Sequence, residues 1–518
     1  MTTRPGELLI TDFLRRARRH HPDREIVAYA HGEEVLRYDY AAYADRVHRL
    51  AGALRRLGVR PGDRVASLAW NHHRHLELYA AVPQVGAVLH TLNLRLSAEE
   101  IAYIAGHADD RLIVADAELQ HLLDGVQPEL GVLDTGDAYE ALLVDGLAFD
   151  GEPGVREDDL AVLCYTSGTT GRPKGVGYSH RGLYLHTFAA CLADGHAISA
   201  ADTVLHVVPM FHANAWGVPF AATMTGATQV LPGPHPTPAE IARIIEREKV
   251  TYVGMVPTVA VDILRHVREH GGDLRSLRAL VLGGSTPSLA LIRDLEEELG
   301  IPVYQGWGMT ELSPMASFTR PPRPIADREE HRRRTQSQGR LLPGLQWRIV
   351  DDAGHELPWD GESAGELQVK GPWVATGYYL GEAPERFDDG WLLTGDVAVI
   401  DPDGWMRIVD RAKDLIKSGG EWISSLALEQ ALLADPEVAE AAVVAVPHPR
   451  WQERPLALVV LNPGSAATGE ELKARLGERV PRWWLPERIE VTTELPRTSV
   501  GKLDKRTLRE HWSAGVHA

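Results

Sequence analysis

Cysteine is scarce in this chain of 518 residues, which contains only Cys164 and Cys191. Neither cysteine lies in a spacing typical of a metal site or of a redox pair. Disulfides are rare in cytosolic proteins, so a low cysteine content is typical of a reducing compartment. The cysteine content therefore predicts a cytoplasmic protein.

Long apolar runs and an excess of basic charge are lacking as well. No window reaches the roughly 18 uninterrupted apolar residues that a membrane span requires, so we expect no integral membrane span. The 72 acidic residues outnumber the 54 basic ones and give a formal net charge of −18. This balance argues against sequence-independent binding to nucleic acid, and any polyanionic ligand needs a local pocket.

The length and the pattern of the chain indicate a layered α/β protein with more than one domain. A chain of 518 residues is too long for one ordinary core. Short apolar strands alternate with helical periodicity up to about residue 300, strands dominate beyond residue 340, and the last hundred residues form an α+β pattern. The residues between 320 and 338 are most simply a surface loop. We therefore predict an α/β large N-terminal domain (two α/β halves plus a smaller β subdomain), residues 1–410, and a small mobile α+β C-terminal domain, residues 411–518.

The most informative segment follows an apolar strand at residues 160–164. It places four Ser or Thr hydroxyls, three glycines and a lysine on one loop: Tyr165, Thr166, Ser167, Gly168, Thr169, Thr170, Gly171, Arg172, Pro173, Lys174, Gly175, Val176. Glycines allow close backbone approach, hydroxyls and amides donate to phosphate oxygens, and lysine offsets negative charge. The order differs from the P-loop of the common NTPases. The segment predicts a polyphosphate site of another kind.

This segment resembles the signature of the acyl-adenylate-forming superfamily, the AMP-binding enzymes that include acyl-CoA synthetases, peptide-synthetase adenylation domains and firefly luciferase. The resemblance extends over nearly the entire chain and is greatest to the medium- and long-chain fatty-acyl-CoA synthetases. It implies a large adenylation domain that binds ATP and the acid, and a C-terminal lid domain. Within the loop it implies that Thr166 also serves magnesium and catalysis.

A second motif runs through Gln305, Gly306, Trp307, Gly308, Met309, Thr310 and Glu311. The resemblance implies that this turn holds adenine against an aromatic ring, that its threonine meets phosphate, and that Glu311 binds Mg²⁺. A planar ring offers stacking area, and a hard carboxylate suits Mg²⁺. Trp307 stands where relatives usually have tyrosine. Gly283, Gly284 and Ser285 would form the wall on the adenine side.

Two further motifs concern the ribose and the junction between the domains. In Thr394-Gly395-Asp396 the family aspartate accepts hydrogen bonds from the ribose hydroxyls, and Arg411 is its companion. In the segment that begins at Asp410, the resemblance places the hinge at Lys413, brings Lys417 to the phosphate region, and implies a coenzyme A channel. Its members are Gly419, Gly420 and Trp422.

The last motif, near residue 500, carries Lys502, which in the family bridges the substrate carboxylate and the α-phosphate. The segment 208–216 resembles the wall of the acid pocket of fatty-acyl relatives. There His212 would lie beside the carboxylate and Trp216 would be an aromatic gate on the acyl tunnel, with Gly308 as a further neighbour. A core turn that packs two aromatic rings is the structural alternative for this segment.

Together these features predict ATP-dependent activation of a carboxylic acid through acyl-AMP, followed by thioester formation with coenzyme A. The substrates and cofactors would be ATP, Mg²⁺, coenzyme A and a medium- or long-chain fatty acid or a related acid. Alternatives are another acceptor (an amine, a carrier-protein thiol or nitrite) and a non-catalytic nucleotide-binding protein. We expect no nucleic-acid partner and allow for a homodimer.

Overall fold

The computed structural model describes residues 6–144, 147–151, 153–166, 172–419, 421–498 and 503–513. The described chain begins with a short helix and a hairpin: α1 (Thr11–His20), β1 (Glu25–Ala30) and β2 (Glu33–Asp39). The hairpin does not stand alone, because β1 pairs in parallel with a strand two hundred residues later in the chain. The first forty residues thereby complete the second large sheet.

The first α/β half contains a six-stranded sheet within the described residues. Its strands, in chain order, are β3 (Arg64–Leu68), β4 (Val88–Thr91), β5 (Asp110–Ala115), β6 (Val132–Asp134), β7 (Leu160–Tyr165) and β8 (Gly175–Ser179). They are arranged β6-β5-β3-β4-β7-β8, parallel except at the β7–β8 hairpin. The helices that cover it are α2 (Tyr40–Arg56), α3 (His73–Gln84), α4 (Ala98–Ala108) and α5 (Asp137–Val144).

The second half builds a larger sheet, of nine strands in the described part of the chain. Its own strands are β9 (Thr203–Leu205), β10 (Thr228–Leu231), β11 (Tyr252–Met255), β12 (Ala279–Leu282), β13 (Val303–Gly308), β14 (Met315–Phe318) and β15 (Arg340–Leu341), in the order β15-β14-β13-β12-β11-β9-β10-β1-β2. Its helices are α6 (His180–Cys191), α7 (Val218–Thr225), α8 (Pro238–Glu248), α9 (Pro257–His270), α10 (Leu289–Glu298) and α11 (Arg328–Gln336). The predicted two-half architecture is confirmed.

Local sequence explains where several of these helices begin. At the start of α8 the Thr237 hydroxyl accepts from the backbone N–H of Glu240, and the Glu240 carboxylate accepts from that of Thr237, with Pro238 at the first helical position. This capping box satisfies backbone N–H groups that the helix cannot pair internally. Ser97 and Glu100 form the same arrangement at the start of α4.

An antiparallel sheet and a small α+β unit complete the described chain. The sheet contains β16 (Gln346–Val350), β17 (Gly365–Lys370), β18 (Phe387–Asp388), β19 (Trp391–Ile400) and β20 (Met406–Arg411). The C-terminal unit contains β21 (Ile416–Ser418), β22 (Glu421–Ile423), β23 (Val438–His448), β24 (Gln452–Leu461), β25 (Arg488–Val491), α12 (Ser425–Leu433), α13 (Gly469–Leu476) and α14 (Lys505–Ser513). Strand β20 thus ends at Arg411, next to the predicted domain boundary.

The prediction of a loop at residues 320–338 is wrong, because helix α11 lies within it. The Asp327 carboxylate caps α11 by accepting from the backbone N–H groups of Glu329 and Glu330. Most of its side chains are only partly exposed, Thr335 is buried, and Arg332 pairs with Glu296 of the neighbouring α10. A helix held by a cap and by ion pairs carries no apolar stripe, so periodicity could not reveal it.

The deepest core joins α1, α2 and α3 to the first sheet and to α7, with members such as Phe13, Val47, Leu76, Leu89 and Phe220. Each fully buried side chain of this kind contributes about 1.5–3 kcal/mol relative to an exposed one. None of the helices in the described ranges is long and apolar enough to cross a membrane.

Several histidines are buried in this core without charge. Burial lowers the pKa of His75, His180 and His206 to about 4. In the unfolded chain an imidazole titrates near pH 6.5. Between that pH and about 4, the unfolded state therefore binds protons that the folded state does not bind. The free energy of unfolding should therefore be highest above about pH 6.5 and fall as the pH drops towards 4.

We predict that His206→Gln makes this acid sensitivity shallower. Nε2 of His206 lies 2.9 Å from Oε1 of Gln229, and a glutamine amide can donate the same bond without titrating. Urea unfolding between pH 6 and 5 should show a slope reduced by about 1 kcal/mol per pH unit. The exposed His121 provides the control, because His121→Gln should leave the slope unchanged. Equal slopes in both variants would contradict the prediction.

Candidate active site

The two ends of the predicted phosphate loop are fastened to each other. The backbone N–H of Thr166 donates to the carbonyl of Lys174 at 2.9 Å, and the N–H of Lys174 donates to the Thr166 hydroxyl at 3.2 Å. The loop therefore leaves the sheet at the carboxyl end of β7 and returns at the start of β8. The predicted phosphate ligands between these ends, Ser167, Gly168, Thr169, Thr170 and Gly171, lie outside the described residues.

A buried carboxylate lies next to this loop. Glu311, in the turn after β13, is 5% exposed and accepts a 2.6 Å hydrogen bond from the Tyr378 hydroxyl. The same tyrosine ring has Nζ of Lys174 5.9 Å from its centre. Burial, followed by the Glu311 charge, raises the pKa of Tyr378 well above its ordinary value. Tyr378 thus stays a neutral donor that joins the lysine of the loop to the buried glutamate.

Thr310 is tied to the strand that follows the loop. The Tyr178 hydroxyl, on β8, donates to the carbonyl of Thr310 at 2.7 Å. Neither Tyr178 nor Tyr378 was predicted to take part in the site. No local pattern in the sequence indicates either tyrosine, because each contacts the site from a distant segment of the chain.

Trp307, Asp396 and Arg411 form one contiguous group. Asp396 is 1% exposed, Nε1 of Trp307 lies 3.2 Å from its Oδ2, and Nε of Arg411 lies 2.6 Å from its Oδ1. Asp396 and Arg411 stand opposite each other on β19 and β20. The structure thus brings the ring that is predicted to stack on adenine next to the carboxylate that is predicted to bind the ribose.

The glycines near Trp307 mark close approaches of the backbone. A Cβ at Gly308 would lie 1.9 Å from the carbonyl oxygen of Pro314, and one at Gly283 would lie 2.8 Å from Cη2 of Trp216. A Cβ at Gly306 would make only ordinary contacts. Only glycine fits at positions 308 and 283 without displacement of the neighbours. The N–H of Met309 donates to the carbonyl of Pro314 at 2.9 Å, whereas Gly284 and Ser285 are exposed.

The predicted acid-pocket segment adopts an unusual turn. Ala213, Asn214, Ala215 and Trp216 all have φ between +40° and +60°, a left-handed conformation that costs non-glycine residues about 1 kcal/mol each. His212, at the start of the turn, is half-buried. The turn therefore holds Trp216 in a strained position that the surrounding structure must impose.

The ring of Trp216 lies against the glycines of the second sheet. A Cβ at Gly254, on β11, would be 3.3 Å from Cε3 of Trp216, and Gly283 is in similar contact. The preceding residues are held by Asn71, whose side-chain amide donates to the carbonyls of His206 and Val208 at 2.7 and 2.8 Å. Gly254 and Asn71 were not predicted, and an asparagine between a strand and a helix is too common to indicate them.

The predicted coenzyme A residues lie on the C-terminal unit. Gly419 has a φ of +64°, and a Cβ there would be 2.8 Å from Cε3 of Trp451. Trp422 is 52% exposed, and Nζ of its strand partner Lys417 lies 5.5 Å from its ring centre. These residues form an open surface of aromatic and basic groups. Gly420 lies outside the described residues.

The predicted hinge follows directly on β20. Lys413 is exposed in a turn, and its neighbour Asp414 pairs with Arg509 of α14 at 2.6 Å. Before the turn, the buried Asp410 carboxylate accepts from the N–H and the hydroxyl of Ser425, at 2.6 and 2.7 Å. Asp410 thus bonds across the predicted boundary, whereas Asp414 bonds within the C-terminal unit. Lys502 lies outside the described residues.

Within the residues that the structure describes, no three His, Cys, Asp or Glu side chains gather as a metal site. A cation here would have to rely on Glu311, whose buried position leaves one oxygen bonded to Tyr378. Mg²⁺ commonly uses one or two carboxylates together with water and phosphate oxygens. The residues present therefore fit a magnesium ion that arrives with a nucleotide.

The chain matches two family models. Residues 13–379 match the model of the AMP-binding enzymes, and residues 427–502 match that of the AMP-binding enzyme C-terminal domain. Among curated relatives, it is 46% identical to a long-chain-fatty-acid–CoA ligase of Thermus thermophilus over 98% of this chain and 96% of the relative. It is 41% identical to a medium-chain-fatty-acid–CoA ligase of Ectopseudomonas oleovorans, over 98% and 96%.

The name of a third relative indicates a shorter acid. It is a 3-methylmercaptopropionyl-CoA ligase of Ruegeria pomeroyi, 40% identical over 98% of this chain and 97% of the relative.

Solved structures agree with this grouping. The ATP-bound MatB of Rhodopseudomonas palustris superposes with a TM-score of 0.85 at 26% identity, over 98% of this chain and 99% of that one. The amide bond synthetase McbA of Marinactinospora thermotolerans superposes with a TM-score of 0.83 at 28% identity, over 97% and 100%. The expected fold class, with its separate small C-terminal domain, is confirmed. The chain therefore belongs to the AMP-binding enzyme family, and within it to the AMP-forming acid–thiol ligases.

Proposed function

We propose that this chain activates a medium- or long-chain fatty acid, or a related acid, with ATP and transfers the acyl group to coenzyme A. The observation that carries the proposal is a set of contacts in two parts. One part runs from Lys174 through Tyr378 to Glu311. The other runs from Trp307, four residues before Glu311, through Asp396 to Arg411. Motifs far apart in sequence thus share one site.

The nucleotide would be held along this set of contacts. The triphosphate would lie on the loop that Thr166 and Lys174 close, with donors from the loop: Ser167, Gly168, Thr169, Thr170, Gly171. The adenine would lie between the ring of Trp307 and the wall of Gly283, Gly284 and Ser285, and the ribose hydroxyls would donate to Asp396. The remaining contacts would come from the β13 segment and its turn, from the end of β20 and from beyond the hinge: Gly306, Gly308, Met309, Thr310, Arg411, Lys417.

Magnesium would enter with the nucleotide and be held by Glu311, with the Thr166 hydroxyl nearby. A bound Mg²⁺ supplies neutralisation of phosphate charge and orients the leaving group. Glu311 is suited to this role because it is buried and its orientation is fixed by the Tyr378 hydroxyl.

The acid would enter where Trp216 now lies against Gly254 and Gly283. The absence of side chains at these glycines would leave a slot for an acyl chain once the indole moves. His212 and Gly308 would flank the carboxylate. The relatives named for long-chain, medium-chain and 3-methylmercaptopropionic acids favour aliphatic acids for this pocket.

In the first half-reaction a carboxylate oxygen attacks the α-phosphorus, and the bond to the bridging oxygen of pyrophosphate breaks. Both reactants are anionic, so preorganised positive charge is the main requirement. Lys502 would bridge the carboxylate and the α-phosphate, and Lys174 would lie near the departing phosphates. The products are acyl-AMP and pyrophosphate.

In the second half-reaction a thiolate sulfur attacks the acyl carbonyl, and the bond from the carbonyl carbon to the AMP oxygen breaks. The thiol has to reach the carbonyl at which Lys502 acted, so a rotation of residues 411–518 against residues 1–410 about Lys413 would exchange the two. Gly419 and Gly420 would then line the coenzyme A channel beside Trp422.

A cytoplasmic location is part of the proposal and is supported by the low cysteine content. A homodimer stays a prediction.

Incubation of the protein with ATP, Mg²⁺ and a panel of acids, with and without coenzyme A, tests the function. Mass spectrometry should show acyl-AMP without coenzyme A and acyl-CoA with it, most abundantly for aliphatic acids of medium or long chain. Acyl-AMP that is consumed by an amine, a carrier-protein thiol or nitrite, and not by coenzyme A, would overturn the acceptor. Nucleotide binding without acyl-AMP from any acid would indicate a silent binding protein.

We predict that Lys502→Ala separates the two half-reactions. Adenylation should fall by about 10²–10³-fold, the size of effect seen when one transition-state donor is removed. Thioester formation from supplied acyl-AMP should change by less than about fivefold, because the lysine would have left the site. Stopped-flow and quenched assays of each step provide the measurement, with Lys473→Ala as the surface control. Equal losses in both steps would contradict the role.

We predict the opposite separation for Lys413→Pro. Proline fixes φ near −65°, so a hinge at this residue could no longer turn. Adenylation should remain within about twofold of the native rate, whereas thioester formation should fall by more than tenfold, as a lost conformational step would require. Lys413→Ala is the matched control and should preserve both. Unchanged complete turnover in the proline variant would place the hinge elsewhere.

A further inference from the structure

The indole N–H of Trp307 points at the carboxylate of Asp396, with Nε1 3.2 Å from Oδ2. Stacking against adenine needs only the face of an aromatic ring and makes no use of this N–H. We propose that Trp307 is a positioning residue that orients Asp396 for the ribose of the nucleotide. The inference rests on the proposed function, because it takes Asp396 as the ribose-binding carboxylate.

The backbone of Asp396 is fixed before any ligand arrives. Asp396 pairs with Arg411 in the β19–β20 ladder, and the backbone N–H of Asp396 donates to the Thr394 hydroxyl at 3.1 Å. With the backbone fixed, the side chain keeps its first torsion and the rotation of the carboxylate plane, and this last torsion has only a broad preference. A carboxylate that must meet two hydroxyls at once needs that plane to be set.

Two side chains contact the two oxygens of this carboxylate. Nε of Arg411 forms an ion pair with Oδ1 at 2.6 Å, and the indole N–H of Trp307 donates a hydrogen bond to Oδ2 at 3.2 Å. The two side chains come from different sheets, because Trp307 belongs to β13 and Arg411 to β20. Of the two contacts, the indole hydrogen bond is the directional one, so it restrains the rotation of the carboxylate plane.

The donors do not prevent the carboxylate from binding a ribose. Each carboxylate oxygen can accept more than one hydrogen bond, so an oxygen that already accepts from an indole or a guanidinium still can accept from a hydroxyl. The indole N–H lies in the plane of the ring, so the ring face stays available for adenine. Tryptophan can therefore stack and orient at once, whereas phenylalanine could only stack.

This dual role predicts an effect on nucleotide choice. If Trp307 only stacks, its loss weakens ATP and 2′-deoxy-ATP by the same factor, because both carry adenine. If Trp307 orients Asp396, its loss specifically lowers the advantage that the 2′-hydroxyl gives to ATP. The ratio of the two dissociation constants therefore separates stacking from positioning.

The test measures dissociation constants of ATP and 2′-deoxy-ATP by titration calorimetry on the full chain with Mg²⁺. The native protein should prefer ATP, and Trp307→Phe should reduce that preference about five- to tenfold, the size expected for one ordinary hydrogen bond. In Asp396→Asn the preference should already be low, and adding Trp307→Phe should change it by less than about twofold. Trp359→Phe, at a partly exposed tryptophan away from the site, should leave the preference unchanged.

A parallel loss of both nucleotides in Trp307→Phe, with the native preference retained, would overturn the proposal. So would a native protein that binds the two nucleotides equally well. If Trp307→Phe does not fold, site-specific replacement of Trp307 by benzothienylalanine keeps the size and the face of the ring and removes only the N–H. It should lower the preference, and retention of the native preference would again overturn the proposal.

A failure of this inference can be distinguished from a failure of the proposed function. Calorimetry reports nucleotide binding without any acid or coenzyme A. A Trp307-dependent preference together with no acyl-AMP from any acid would refute the proposed function and leave the positioning role intact.

Discussion

The buried pairing of Asp396 with Arg411 and Trp307 is the interaction on which the rest of the site depends. A carboxylate that is 1% exposed is stable in its ionised form only if donors replace the water it has lost. Here those donors come from the second sheet and from the strand that precedes the hinge. The contacts that stabilise this charge therefore also join the antiparallel sheet to the α/β body, and they place the predicted hinge close to the proposed nucleotide site.

The second constraint is that one site has to serve two reactions. Adenylation brings two anions together and needs positive charge, whereas thioester formation needs a clear path for a thiol. By the proposal, the groups that hold the nucleotide lie mainly before Lys413, and the groups that differ between the steps lie beyond it. Glu311, Tyr378 and Lys174 would thus remain in place through both reactions. Motion would be confined to the part of the chain that carries Lys502 and Gly419.

The sequence predicted the architecture well because apolar periodicity reports buried faces directly. The strands predicted to dominate beyond residue 340 are found as β16 to β20. Helix α11 was not predicted, because a cap and ion pairs stabilise it without an apolar stripe. The pairing of β1 with β10 was not predicted for another reason: pairing across two hundred residues leaves no local signal in the sequence.

The site was predicted less completely, and the omissions have a common cause. Motifs indicated Glu311, Asp396, Trp307 and Trp216. They did not indicate Tyr378, Asn71 or Gly254, which lie outside the motifs and contact them from other segments of the chain. The hydrogen bond between Trp307 and Asp396 illustrates the limit, because a change from tyrosine to tryptophan in sequence does not say which way the new N–H points. The direction of this N–H is known only from the three-dimensional positions of both side chains.

The central claim is that this single site joins an acid to AMP with release of pyrophosphate. Exchange of labelled pyrophosphate into ATP measures that step in reverse and needs no coenzyme A. The account predicts exchange that requires a carboxylic acid and Mg²⁺ and that is lost when Glu311 is changed to Gln. Exchange without any acid, or none with every aliphatic acid offered, would contradict it.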